Sequence, residues 1–188
     1  MPIRASWVRR LRIVSTLQPL GKYDDALQLL QVASQNDPLS LDLQREIGQV
    51  QSFAGRYAEA VDTLQRVHQV DPGFPFLETY LARALIFDGN VEQGLALLSK
   101  GAPWLAHAYV MTGRRREAER LAVEWKDYPF RLTVIEAALG HTDRAIDALE
   151  RAAVSEPHRM GRLLIEPELA ALRDHPRVVA LRKRFNLP

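Results

Sequence analysis

Aliphatic and small residues recur along this chain at fixed distances from a series of glycines. The glycines are Gly21, Gly55, Gly89, Gly113 and Gly140, spaced 34, 34, 24 and 27 residues apart. Eight residues before each stands a large aliphatic: Ile13, Ile47, Leu81, Leu105 or Leu132. Five residues after each stands Ala26, Ala60, Gly94, Ala118 or Ala145, and nine after stand Leu30, Leu64, Leu98, Ala122 and Leu149. This predicts a helix that ends at each glycine, where φ > 0 is needed, and a second helix that begins just beyond it. The small residue lets the two antiparallel helices approach to the short end of the usual interaxial range. Asp37-Pro38, Asp71-Pro72 and Glu156-Pro157 then stop the second helix, because proline cannot continue one. The stretch from Gly55 to Gly89 is one complete unit, and its neighbours are imperfect copies.

A 34-residue period with small, aromatic, alanine and proline columns resembles the tetratricopeptide repeat. The resemblance is carried by Gly21-Lys-Tyr-Asp-Asp-Ala26 with Pro38, and by Gly48, Gly55-Arg-Tyr-Ala-Glu-Ala60 and Pro72. It implies an all-α fold, a right-handed superhelix of about five helix pairs in a single repeat domain over 1–188. The repeats fall near 7–38, 41–72, 75–100, 103–126 and 129–157, with a C-terminal cap at 164–188. Regularity fades along the chain. Val91, Arg115 and Thr142 stand where Tyr23 and Tyr57 supply an aromatic, and the third and fourth repeats are short. Shortened second helices or tightened loops are expected around 99–103 and 127–129. The segment from Leu164 to Pro188 is similar to the closing segment of certain bacterial tetratricopeptide modules, some joined to winged-helix regulators, nucleotide cyclases or kinases. In the cap, Val178, Leu181 and Phe185 fall at helical spacing with Arg182, Lys183 and Arg184 between them, as a polar-faced terminal helix requires.

Composition narrows the compartment and the chemistry. The 188 residues are 47% hydrophobic, enough to bury a core, and include no cysteine, so disulfides, thiolate metal sites and a cysteine nucleophile are excluded. A cytoplasmic protein with no membrane span is expected, since no apolar run approaches the length that crosses a bilayer. Arginines interrupt the first twelve residues where a signal peptide needs an apolar core. The net charge of +2 is unevenly placed. Residues 1–22 hold Arg4, Arg9, Arg10, Arg12 and Lys22 and no acid, whereas residues 171–188 hold five basic groups against Asp174. The body between them is acidic. Nucleic-acid binding through the basic ends is therefore the weakest of the readings, because such proteins usually carry a basic face along the fold.

Little in the chain points to catalysis, a cofactor or a metal. His68, His107, His141, His158 and His175 show no i, i+4 ligand pair, and Gly21-Lys22 lacks the rest of a phosphate loop. Asp24/Asp25 and Glu117/Glu119 fall early in expected helices, where acids suit the dipole. Arg114, Arg115 and Arg116 precede Glu117 and Glu119 and are read as a solvated face.

A non-catalytic protein-interaction scaffold is the leading expectation, with a peptide or protein segment held in a concave groove lined by the first helix of each pair. Counting back from the glycines places Arg45, Gln49, Thr79, Arg83, Ile86, His107, Val110, Phe130 and Val134 in it. The groove is expected to take an acidic group near Arg45 or Arg83 and an apolar part further on. The Lys/Asn/Asn/Lys/Arg set of the chaperone-tail clamp found in some tetratricopeptide proteins is missing, since Leu11, Ser15, Glu46, Phe76 and Tyr80 occupy its places. A regulatory, sensor or self-association module of a bacterial signalling protein is the alternative.

Overall fold

The computed structural model describes residues 13–99 and 101–188. The start of the first expected repeat, including the arginines at 4, 9, 10 and 12 and Leu11, and the end of the third at Lys100 lie outside the described residues.

Among the described residues every regular element is helical. Contacts divide the chain into two compact units, Met1–Leu97 and Leu98–Pro188. The first unit holds α1 (residues 13–17), α2 (Tyr23–Asn36), α3 (Leu41–Phe53), α4 (Tyr57–Val70), α5 (Leu77–Phe87) and α6 (Val91–Leu97). The second holds α7 (Leu105–Met111), α8 (Arg115–Glu124), α9 (Pro129–Ala138), α10 (Thr142–Ser155), the single-turn α11 (Met160–Leu163) and α12 (Pro176–Arg184). The shortening expected of the third repeat falls on its second helix, since α6 has seven residues where α2 and α4 have fourteen.

One corner is built five times. Gly21, Gly55, Gly89, Gly113 and Gly140 all have φ between +70° and +94°, a region an L side chain enters at a cost. The residue after each glycine donates its N–H to a carbonyl five residues back. The bonds are Lys22 to Leu17 (3.1 Å), Arg56 to Gln51 (2.9 Å), Asn90 to Leu85 (2.8 Å), Arg114 to Tyr109 (2.7 Å) and His141 to Glu136 (3.0 Å). Each bond satisfies a carbonyl that the ending helix would otherwise leave open, and so turns the chain into the next helix.

The helix pairs lock at the small column. Ala26, Ala60, Ala118 and Ala145 are fully buried, and Gly94 takes the same place in α6. A methyl group on Gly94 would come within 2.6 Å of the Ala82 carbonyl oxygen and of Ile86 Cγ1. On Gly48 it would come within 2.5 Å of Leu64 Cγ. Around these contacts Leu30, Leu43, Leu64 and Leu77 in the first unit, and Ile146, Leu149, Met160 and Leu163 in the second, are almost wholly removed from water. Each such side chain contributes roughly 2 kcal/mol of transfer free energy.

In the second unit α12 buries Val178 and Leu181 against the cluster built on α9 and α10. It is fastened at its start by Arg177, whose Nη2 reaches Asp147 Oδ1 at 2.7 Å and Glu150 Oε2 at 2.6 Å. His175 caps the helix, its Nδ1 accepting the Arg177 N–H.

Candidate interaction surface

The first helix of each pair carries the residues expected in a groove, and the structure separates them into two groups. In the first unit α3 packs against α2, α4 and α5, while α5 packs against α3, α4 and α6. Little of either helix is left uncovered. Residues 81–86 are buried without a break, and this includes Arg83 (5% exposed) and Ile86 (1%). Gln49 is buried at 6%, in the position of α3 that matches Arg83 one period earlier. Ile86 faces α6 and fills the space that the missing Gly94 side chain leaves.

The same holds in the second unit, where Phe130 and Val134 belong to the core cluster of α9, α10 and α12. Arg159 lies over the Phe130 ring at 3.9 Å. His107 and Val110 on α7 are half-buried. Gln49, Arg83, Ile86, Phe130 and Val134 thus do not present side chains to a partner, contrary to the expectation from their register. These five side chains are buried among neighbouring helices.

Arg45 and Thr79 remain at the surface of α3 and α5, and the company of Arg45 changes its meaning. Its guanidinium is bonded to Glu46 at 2.7 Å, lies 3.8 Å from Asp42, and sits over the Tyr80 ring at 5.7 Å. Only 14% of its side chain is exposed, against 51% for Asp42. Exposed Glu78 follows at the start of α5. Among the described residues Asp42 and Glu78 are the exposed charges beside Arg45, whose own charge is already paired.

The loop before α5 adds a feature that the register does not reveal. Asp71 Oδ1 accepts the Gly73 N–H at 3.0 Å, Phe74 N–H reaches the Asp71 carbonyl, and Leu77 N–H reaches the Phe74 carbonyl. The loop delivers Phe76 in the left-handed conformation (φ +62°, ψ −2°) with 74% of the residue exposed. A bulky residue there is a genuine outlier. Phe74, Pro75, Phe76, Glu78 and Thr79 line a concavity of about 310 Å³. In sequence, the only hint of it is the alternation Pro72, Phe74, Pro75, Phe76.

Several of the remaining candidate groups are paired within the chain. Arg114 pairs with Glu117 at 3.4 Å, Arg115 with Glu119 at 3.3 Å, and Arg120 lies 3.9 Å from Glu117, so two of the three arginines in the run meet acids of α8. His141 bridges two groups: Nδ1 is 2.6 Å from Glu136 Oε2, and Nε2 is 2.9 Å from Arg115 Nη2. Arginine can only donate, so Nε2 accepts and the ring proton sits on Nδ1, toward the carboxylate. Among the described residues no three His, Asp or Glu side chains form a group that could hold a metal ion, and no helix is long and apolar enough to cross a membrane.

Antiparallel helix pairs turned at left-handed glycines and locked by a buried alanine column define a helical repeat protein. Family models for the tetratricopeptide repeat match residues 20–75, 53–104 and 104–124, and the chain belongs to that family. Tetratricopeptide repeats generally mediate protein–protein interactions. No curated protein and no solved structure matches the chain.

Proposed function

We propose that the protein is a non-catalytic interaction module that binds an extended segment of a partner protein on the face made by the starts of α3 and α5. The observation that carries this reading is the half-open strip of Arg45, Thr79 and Tyr80, which lies beside the concavity of the 72–79 loop. Both helices are packed on three neighbours, and a preformed face saves the ordering cost of binding. The pairs Glu136 with His141, Arg45 with Glu46 and Arg177 with Glu150 engage these groups with one another instead of converging on a shared cavity, which supports a scaffold over an enzyme.

The test is site-specific photocrosslinking in cells, with benzoylphenylalanine placed at Thr79 and, separately, at exposed Gln28 on α2. Adducts that form from Thr79 and not from Gln28, mapped to one partner segment by mass spectrometry, are the expected result. Equal adduct formation from both positions, or none from Thr79, removes this face as the binding surface.

A further inference from the structure

We infer that the concavity at 72–79 is a seat for an arginine side chain presented by the partner segment; this rests on the segment-binding reading above and gives it a chemistry. Three observations converge on it.

The first is charge. Among the described residues, the exposed or half-exposed ionic groups at the starts of α3 and α5 are Asp42, Glu46 and Glu78 against Arg45, and Arg45 is already held by Asp42 and Glu46. Glu78 lines the concavity and is exposed, a carboxylate placed to receive a cation.

The second is the ring. Phe76 is 74% exposed and is held in a backbone conformation that favours glycine, where a phenylalanine costs folding free energy and gains no burial. Packing within the chain does not account for it, and strain of this kind suggests a use. An aromatic face beside a carboxylate suits a guanidinium, which stacks on the ring while its N–H groups bond to the acid.

The third is preorganisation. Pro72, Pro75 and the Asp71 side chain fix the loop before any ligand arrives, so little ordering cost falls on binding. The molecule uses the same pairing internally: Arg45 lies over Tyr80, and Arg131 over Trp125 at 4.0 Å.

Fluorescence anisotropy with three labelled hexapeptides tests this: alternating arginine and glycine, the same with citrulline, and the same with glutamate. The arginine peptide is expected to bind with an affinity that falls as salt rises, the citrulline peptide at least tenfold more weakly, and the glutamate peptide not at all. Two variants separate the seat from general acidity. Phe76→Gly relieves the strained backbone, so its Tm rises while its affinity for the arginine peptide falls at least fivefold. Glu78→Lys, at an exposed site, keeps the fold and abolishes binding.

Citrulline binding as well as arginine overturns the proposal, as does wild-type affinity in Phe76→Gly. A dimer in light scattering that Phe76→Gly dissolves overturns it too, since a second copy would then be the occupant. Arginine-peptide binding that survives both substitutions removes this seat and leaves the segment-binding face standing. Loss of crosslinks from Thr79 removes the face itself.

Discussion

Two corners of the molecule occupy the same place in their repeats and are held by opposite chemistry. At the Gly55 corner, Tyr57 opens α4 and stacks on Phe87 at the end of α5, with ring centroids 5.2 Å apart and planes 19° from parallel. At the Gly113 corner the residue in the Tyr57 position is Arg115. It donates to the Leu139 carbonyl at 3.0 Å and to His141, which in turn holds Glu136. The first corner joins one repeat to the next through apolar area, and the second does so through a chain of directional bonds. The column is therefore a position, and at these two corners the residue there reaches the end of the next repeat's first helix by different means. The polar solution carries a liability that the stack does not, because Glu136 is 6% exposed and depends on its partner.

The largest way to break this comparison is Tyr57→Ala, which removes a large ring from a packed corner and is expected to cost about 3 kcal/mol in urea unfolding. A double-mutant cycle with Phe87→Ala should return a coupling of about 1 kcal/mol, the share belonging to the stack itself. Coupling near zero would mean that the rings act only as separate buried surfaces.

His141→Ala strands the Glu136 carboxylate and is expected to cost about 2 kcal/mol, below the value for a fully buried pair because His141 is partly exposed. Replacing Glu136 by Gln in that background should recover part of the loss. If it recovers nothing, the carboxylate was not the group at risk.

Arg115→Met should cost less than about 1 kcal/mol, since half of the side chain is already in water. The smallest effect is at Glu150, where the hydrogen bond from Arg177, only partly offset by burial, holds the carboxyl below its usual range. A lowered folded-state pKa stabilises above the ordinary carboxylate value of about 4.3 and is lost as pH falls through the lowered one. The Tm of the wild type should therefore exceed that of Glu150→Gln at neutral pH, and the gap should close on acidification below about pH 4. A gap that persists at pH 2 would assign the effect to packing.

The corners and the helix pairs were legible in the sequence because they depend on local requirements. A left-handed turn wants glycine and a close crossing wants alanine, and both leave their mark at fixed spacing. The proposed interaction face was only half legible. Arg45 and Thr79 stand at the surface where their register puts them, but Gln49, Arg83 and Ile86 lie under neighbouring helices. Periodicity tells which side of a helix is apolar, while the number of helices packed on it decides how much of the other side stays open. Of the 310 Å³ concavity the sequence held only the alternation of proline and phenylalanine, since nothing in the identity of Phe76 announces a positive φ. Likewise the arginine at 115 reads as part of a charged run, and only the structure shows it taking over the work of an aromatic.

The five corners also bear on how the chain finds its fold. Each is closed by a bond that spans five residues, and from α2 to α10 most helices pack chiefly on a helix next to them in sequence, whereas α12 returns to α10. Assembly of either unit thus calls for few distant encounters, and its contact order is low. Proteins of that kind fold in microseconds to milliseconds, ahead of sheet proteins of equal stability. A corner held by ring stacking can form from loosely placed side chains. One that relies on Arg115, His141 and Glu136 together must wait for all three to align.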